Sequence, residues 1–119
     1  PDPIPLDPTD IEDFDEYSYP PRFARHRGRP FTGVAIDREP HSETRCDYRD
    51  GQPHGTYRTV SHTGQLLEHS EYSEGRPVGE SRAWWPDGTL QDFDRYDEHG
   101  NAILVQYFDP TGRLRHESI

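Results

Sequence analysis

The sequence predicts an all-β fold: a single-layer antiparallel meander of tandem β-hairpins with a period of 24 residues, preceded by an irregular N-terminal segment. Three observations carry this. The first is repetition. YRDGQPHGTYRTVSHTGQLLEHSE (Tyr48 to Glu71) is followed directly by YSEGRPVGESRAWWPDGTLQDFDR (Tyr72 to Arg95). Tyr48, Tyr72 and Tyr96 keep the 24-residue step, as do Gly64, Gly88 and Gly112, and Leu66, Leu90 and Leu114. Gly51 matches Gly75, Pro53 matches Pro77 and Gly55 matches Gly79. Several independent columns on one period mark a tandem repeat. The second is composition. Only 29% of the 119 residues are hydrophobic while 12% are aromatic, which suits a thin sheet that buries one aromatic stripe better than a thick core. The third is turn chemistry. HTGQ (His62 to Gln65), PDGT (Pro86 to Thr89) and DPTG (Asp109 to Gly112) place Gly where a turn needs positive φ, with Pro or Asp at the bend.

The chain divides into an acidic, Pro-rich arm with a basic linker (1–26) and the repeat sheet (27–119). Residues 1–16 hold seven acids and no base, and four prolines fall within the first eight residues. Proline removes backbone donors and fixes φ, which excludes strand and helix interiors there. The composition describes a solvated tail. Read functionally, it is an acidic arm that docks on a basic partner through Ile11, Phe14 and Tyr17. A short helical turn from Thr9 or Asp10 to Glu16 suits acids near a helix N-terminus. Arg22, Arg25, Arg27 and Arg29 come next, and the expected partners of these arginines are the acidic leader or acidic strands of the sheet.

A degenerate copy of the repeat begins there. RGRPFTG (Arg27 to Gly33) parallels DGQPHG and EGRPVG with one extra residue, and Val34 to Asp37 and Glu43 to Tyr48 read as strands. In the regular copies each Pro-x-Gly reads as a break. The strands lie at Thr56 to Val60, Leu66 to Tyr72, Glu80 to Trp85, Leu90 to Tyr96 and Ile103 to Phe108, rich in β-branched or aromatic residues. Turns this short join antiparallel neighbours. The third copy departs, with Gly100 one residue late and Ile103 in place of the second glycine, as expected of a terminal repeat.

The formal charge of −10 repels phosphate backbones and anionic lipid, so nucleic acid and membrane surfaces are excluded as partners and a basic protein is the complement. One cysteine, Cys46, allows no intrachain disulfide. No apolar run approaches the roughly 18 residues of a membrane span, and a cytoplasmic location is the expectation. No H-x-H, HExxH, CxxC or G-x-S-x-G spacing appears, so no catalytic residue, metal site or cofactor is expected and the protein reads as a non-enzyme.

Strand alternation assigns faces. Leu66 and Tyr72 share parity with Glu68, and Leu90 and Tyr96 share parity with Asp92 and Asp94. Carboxylates beside Leu and Tyr describe a partly solvated groove, not a dry core. Trp84 and Trp85 are adjacent and point to opposite faces, and exposed Trp and Tyr are enriched at binding hot spots. The candidate partner-binding residues are therefore the aromatic anchors Trp84, Trp85 and Tyr107, with Glu68, Glu71, Glu80, Asp92 and Asp94 as electrostatic guides.

The pattern Y-x-(D/E)-G-x-P-x-G, then a strand, a turn with G-x-L and a second strand ending in Tyr, resembles the MORN-variant repeat of bacterial YwqK-family antitoxins. The resemblance covers roughly Arg27 to Ile119. It implies a single-layer sheet of consecutive hairpins and an antitoxin or immunity role, in which the protein binds and silences a basic, nuclease-type toxin. The alternative is a non-enzymatic scaffold that self-associates through exposed sheet edges.

Overall fold

The computed structural model describes residues 24–119, together with the backbone of Ile4–Pro5 and Glu12–Asp13. These residues form strands and turns: β1 (Ile4–Pro5), β2 (Glu12–Asp13), β3 (Ala24–His26), β4 (Arg29–Pro30), β5 (Gly33–Glu39), β6 (Ser42–Arg49), β7 (Gln52–Ser61), β8 (Leu66–Ser73), β9 (Arg76–Trp84), β10 (Leu90–Tyr96), β11 (Ala102–Phe108) and β12 (Leu114–Ser118). Strands β5 to β12 make the expected eight-stranded antiparallel meander in sequence order. Two additions go beyond the expectation. β1 pairs parallel with the outer edge of β5, Ile4 opposite Ala35 and Pro5 opposite Ile36, at an edge, where proline's missing donor is tolerated. β2, β3 and β4 form a separate small sheet. Glu12 and Asp13 pair with Arg25 and Ala24 in it, so these two residues are extended and not helical. The rest of the helical turn weighed over Thr9 to Glu16 lies outside the described residues, with Ile11, Phe14, Tyr17 and Arg22.

Two kinds of turn build the meander. Arg27–Gly28, Asp50–Gly51 and Glu74–Gly75 have φ of 53 and 76°, 52 and 87°, and 51 and 85°. Two consecutive positive φ values make the type I′ turn, whose twist matches the flanking strands. The other kind is a longer loop closed by two backbone bonds. Ser61 N–H donates to Gln65 O (2.8 Å) and Gly64 N–H to Ser61 O (2.9 Å), and the pattern recurs from Trp85, Asp97 and Asp109. The starting residues are 24, 12 and 12 apart. The third copy thus replaces the two-residue I′ turn with the longer loop, which is why Gly100 comes late. Asp97 enforces the change: its Oδ1 accepts from the N–H groups of His99 and Asn101, at 2.9 Å each.

The strands begin before the Pro-x-Gly elements, and not after them at Thr56 and Glu80 as expected. β7 begins at Gln52 and β9 at Arg76, so Pro53 and Pro77 lie inside strands, opposite Tyr48 and Tyr72. The irregularity is absorbed by a bulge: the register of β6 on β7 jumps from Cys46↔Tyr57 to Tyr48↔Pro53, and that of β8 on β9 from His69↔Arg82 to Glu71↔Val78. Gly55 sits in the first bulge with φ of 116°, where an added Cβ would lie 2.7 Å from Asp47 Oδ2.

The core is concentrated at one end. Ala24 and Phe31 pack on the buried row Ala35, Cys46, Tyr48 and Tyr57, with Tyr72 at its margin. The Phe31 and Tyr48 rings are 5.9 Å apart, and those of Tyr57 and Tyr72 6.2 Å. Gly51 stitches the layers together, its carbonyl accepting from Ala24 N–H (2.7 Å) and its N–H donating to Phe31 O (2.8 Å). At the far end Ile103, Tyr107 and Leu114 are exposed. Phe31→Ala should therefore lower stability by about 3 kcal/mol in urea unfolding, and Ile103→Ala by no more than about 0.5 kcal/mol. Equal losses would contradict this one-ended core.

Candidate functional site

The face that carries the core continues past Tyr72 without cover from any described residue. Register defines it. Thr59 (β7), Glu68 (β8), Ala83 (β9), Asp92 (β10) and Tyr107 (β11) form one cross-strand row, and Ser81, Asp94 and Val105 form the next. Side chains directly opposite share a face. Ser70, Ser81 and Ala83 are small, so the sheet dips along them into an open groove of about 240 Å³. Glu68 walls it on β8, Asp92 and Asp94 wall it on β10, and Tyr72, Pro77 and Tyr96 close one end. The walls stand two strands apart, about 10 Å.

This confirms the parity argument for Glu68, Tyr72, Asp92, Asp94 and Tyr96, and corrects it for the leucines. The register passes from Thr59↔Glu68 to Val60↔Leu66, and from Ala83↔Asp92 to Trp84↔Leu90. One residue is skipped each time, so a bulge breaks the alternation and takes Leu66 and Leu90 out of the carboxylate row.

The groove is electrostatically uncompensated. Burial raises the Asp92 carboxyl above the ordinary range, and neighbouring Asp94 raises it further. Burial raises Asp94 as well, opposed by the Tyr96 hydroxyl, which donates to Asp94 Oδ2 at 3.4 Å. Asp94 Oδ1 is buried with no hydrogen-bond partner among the described residues. Burial pushes the Tyr72 hydroxyl up to about 12, so it remains a neutral donor. Arg82 borders the groove on β9, but it stands opposite Phe93, one residue out of step with the Ala83–Asp92 row, and its guanidinium lies over the Phe93 ring on the other face.

That opposite face is where the arginines are. All 13 Lys and Arg positions of the chain are arginine, and Arg45, Arg58, His69 and Arg82 lie directly opposite one another across β6 to β9. Glu43 pairs with Arg38 (3.0 Å) and Arg45 (3.1 Å), and Glu80 with Arg82 (3.0 Å) and Arg95 (3.3 Å). The guanidinium carbons of Arg82 and Arg95 lie 4.8 and 5.7 Å from the centre of the Phe93 ring.

The eight candidate residues therefore divide. Glu68, Asp92, Asp94 and Tyr107 share the groove face. Trp85 joins them, its ring 6.3 Å from that of Tyr107 and its Nε1–H donating to Phe108 O at 3.1 Å. Trp84, next along the strand from Ala83, points the other way and is half-buried. Glu71 and Glu80 occupy the arginine face and are already engaged, Glu71 accepting from Thr56 Oγ1 (3.3 Å) and lying 3.6 Å from His69. Of the floor residues, Ser70 was already placed on this face with Glu68 by alternation, while Ser81 and Ala83 were missed in the sequence. Their signal was small side chains at alternate positions on β9, between two acidic strands. Cys46 is buried, and burial followed by nearby Asp47 pushes its thiol up to about 12. Among the described residues no group of three or more His, Cys, Asp or Glu converges to hold a metal, and no helix is long and apolar enough to cross a membrane.

Compared with protein-family models, curated proteins and solved structures, the chain matches none. The groove's pH behaviour comes from its own groups. A carboxyl raised in the folded state binds protons there before it does in the unfolded chain, so its contribution to stability falls as pH rises above about 3.8, the ordinary Asp value. Asp94→Asn should therefore be more stable than the parent at neutral pH in urea unfolding. The advantage should vanish once acid has protonated the parent's carboxyl in both states. An advantage that does not change with pH would contradict the burial account.

Proposed function

We propose that this chain is an antitoxin or immunity-type binding protein that takes up the basic surface of a partner protein in the groove between β8 and β10. The observation that carries this is a trough walled by Glu68, Asp92 and Asp94 with no guanidinium of the described residues facing them, continuous with the face the chain covers elsewhere with its own residues. Asp92 and Asp94 are half-buried without a counter-charge among the described residues, which is costly, and an incoming guanidinium or ammonium supplies what they lack. At about 240 Å³ the groove is smaller than a typical small-molecule pocket of roughly 300–1,000 Å³, which suits side chains of a macromolecule. Trp85 and Tyr107 provide adjacent aromatic surface of the kind that anchors interfaces. The repeat pattern's resemblance to MORN-variant antitoxins points to a toxin as the partner class. The opposite face is a weaker candidate because its acids are already paired.

The test is affinity capture from the native host at rising salt, then co-expression. A basic protein should be held by the parent and by Glu71→Lys/Glu80→Lys, and released as salt rises. Asp92→Lys/Asp94→Lys should lose it, with affinity down at least about 100-fold. Expressed alone, the captured protein should arrest growth, and co-expression of the parent should relieve the arrest. Recovery of nothing but the chain itself at every salt concentration, or equal capture by the groove variant, sinks the proposal.

A further inference from the structure

Two of the chain's seven histidines stand together at the end of β6 and β7 away from Gly51. His41 lies in the turn between β5 and β6, and His62 directly follows β7. Ser42 pairs with Ser61, and a bond from His62 N–H to His41 O, at 2.9 Å, carries that ladder one step further out. This bond is particular to the first regular copy of the repeat. One and two periods later the place of His62 is taken by Pro86 and Pro110, and proline has no N–H to donate. The two histidines are thereby set opposite each other, with ring centres 5.6 Å apart and planes inclined at 55°. Both residues are exposed.

We propose that His41 and His62 chelate one divalent cation of the zinc, nickel and copper kind, for which imidazole is a favoured ligand. Three features fit a metal. With metal–nitrogen bonds of about 2.0–2.1 Å, two imidazoles on one tetrahedral ion have ring centres roughly 5 Å apart, so small side-chain rotations bring the observed pair onto one ion. His62 Nδ1 lies 3.4 Å from His41 O. A carbonyl only accepts, so the proton of this ring belongs on Nδ1 and the Nε2 lone pair is left for the metal, the tethering that ligating histidines commonly show. The formal charge of −10 draws cations to the surface. Among the described residues no third His, Cys, Asp or Glu joins the pair, so water completes the coordination and the ion exchanges freely.

The bound ion links the β5–β6 turn to the start of the β7–β8 loop, at the end of these strands that Gly51 does not stitch. Binding the folded chain alone, it stabilises the fold by mass action. The pair shares no residue with the groove, and this site does not rest on the partner-binding reading.

The test uses the whole chain, first stripped of metal with a chelator, and zinc alone as the probe. Calorimetric titration should show one tightest site per chain, and magnesium should not fill it. His41→Ala and His62→Ala should each weaken that site at least about tenfold. His99→Ala, which removes an exposed histidine of the third copy, should leave it unchanged. Zinc should raise the melting temperature of the parent and of neither pair variant, each compared with its own metal-free value, so that altered intrinsic stability does not imitate loss of the site. NMR of the imidazole nitrogens should show His62 ligating through Nε2 with Nδ1 still protonated. Tight binding that survives both substitutions, several equivalents of equal affinity, or ligation of His62 through Nδ1 overturns the proposal.

Discussion

Phe31 packed against Tyr48, with Ala24 beside it over Cys46 and Tyr57, is the contact on which the rest of this structure depends. A single-layer sheet cannot shield either face by itself, and a chain with 29% hydrophobic residues has little with which to cover it. Ala24 of β3 and Phe31, just after β4, supply that cover at one end, tied to the meander through the backbone of Gly51. Burying an aromatic residue contributes on the order of 2–3 kcal/mol, so the few side chains packed here carry much of the fold's net stability. The remaining strands extend from this anchored end as successive hairpins, each contacting chiefly its neighbours.

The limit of that cover sets the character of the strands beyond it. Along the Ala35–Cys46–Tyr57 row the core face is buried. Past Tyr72 the same face has no described residue over it, and carboxylates stand where core residues would otherwise be. Among the described residues no guanidinium answers their charge on their own face; Arg38, Arg45, Arg82 and Arg95 pair instead with Glu43 and Glu80 on the other side. One thin sheet thus has a largely neutralised surface and an acidic one, and the acidic one is held in place by packing several strands away. Groove residues can therefore keep unfavourable charge without undermining the element that stabilises the chain.

Much of the architecture was legible in the residues. The 24-residue columns of Tyr, Gly and Leu announced hairpins, because each repeat must place its turns and buried positions at the same offsets. Period-2 alternation put Glu68, Asp92 and Asp94 on one face with Tyr72 and Tyr96. The departures were local. Pro53 and Pro77 were set ahead of the strands but lie within them, since a bulge next to a glycine accommodates them. Leu66 and Leu90 left the expected face because alternation fails across a bulge. Glu71 and Glu80 were grouped with the groove acids on charge alone, although Glu71 stands at an odd offset from Glu68 on β8 and Glu80 at an odd offset from Ala83 on β9, which sets both on the other face.

What the sequence determined by itself is the order of hairpins, the I′ and looped turns, and the face each regular strand residue occupies, because these are properties of spacing along one chain. What only the tertiary structure decided is where the cover stops. That depends on Ala24 and Phe31 reaching across to Cys46, Tyr48 and Tyr57, a contact between segments whose packing no local pattern specifies. The groove is the remainder of that contact: its acids lie on the same face, and among the described residues nothing packs over them as Ala24 and Phe31 pack over Tyr48 and Tyr57.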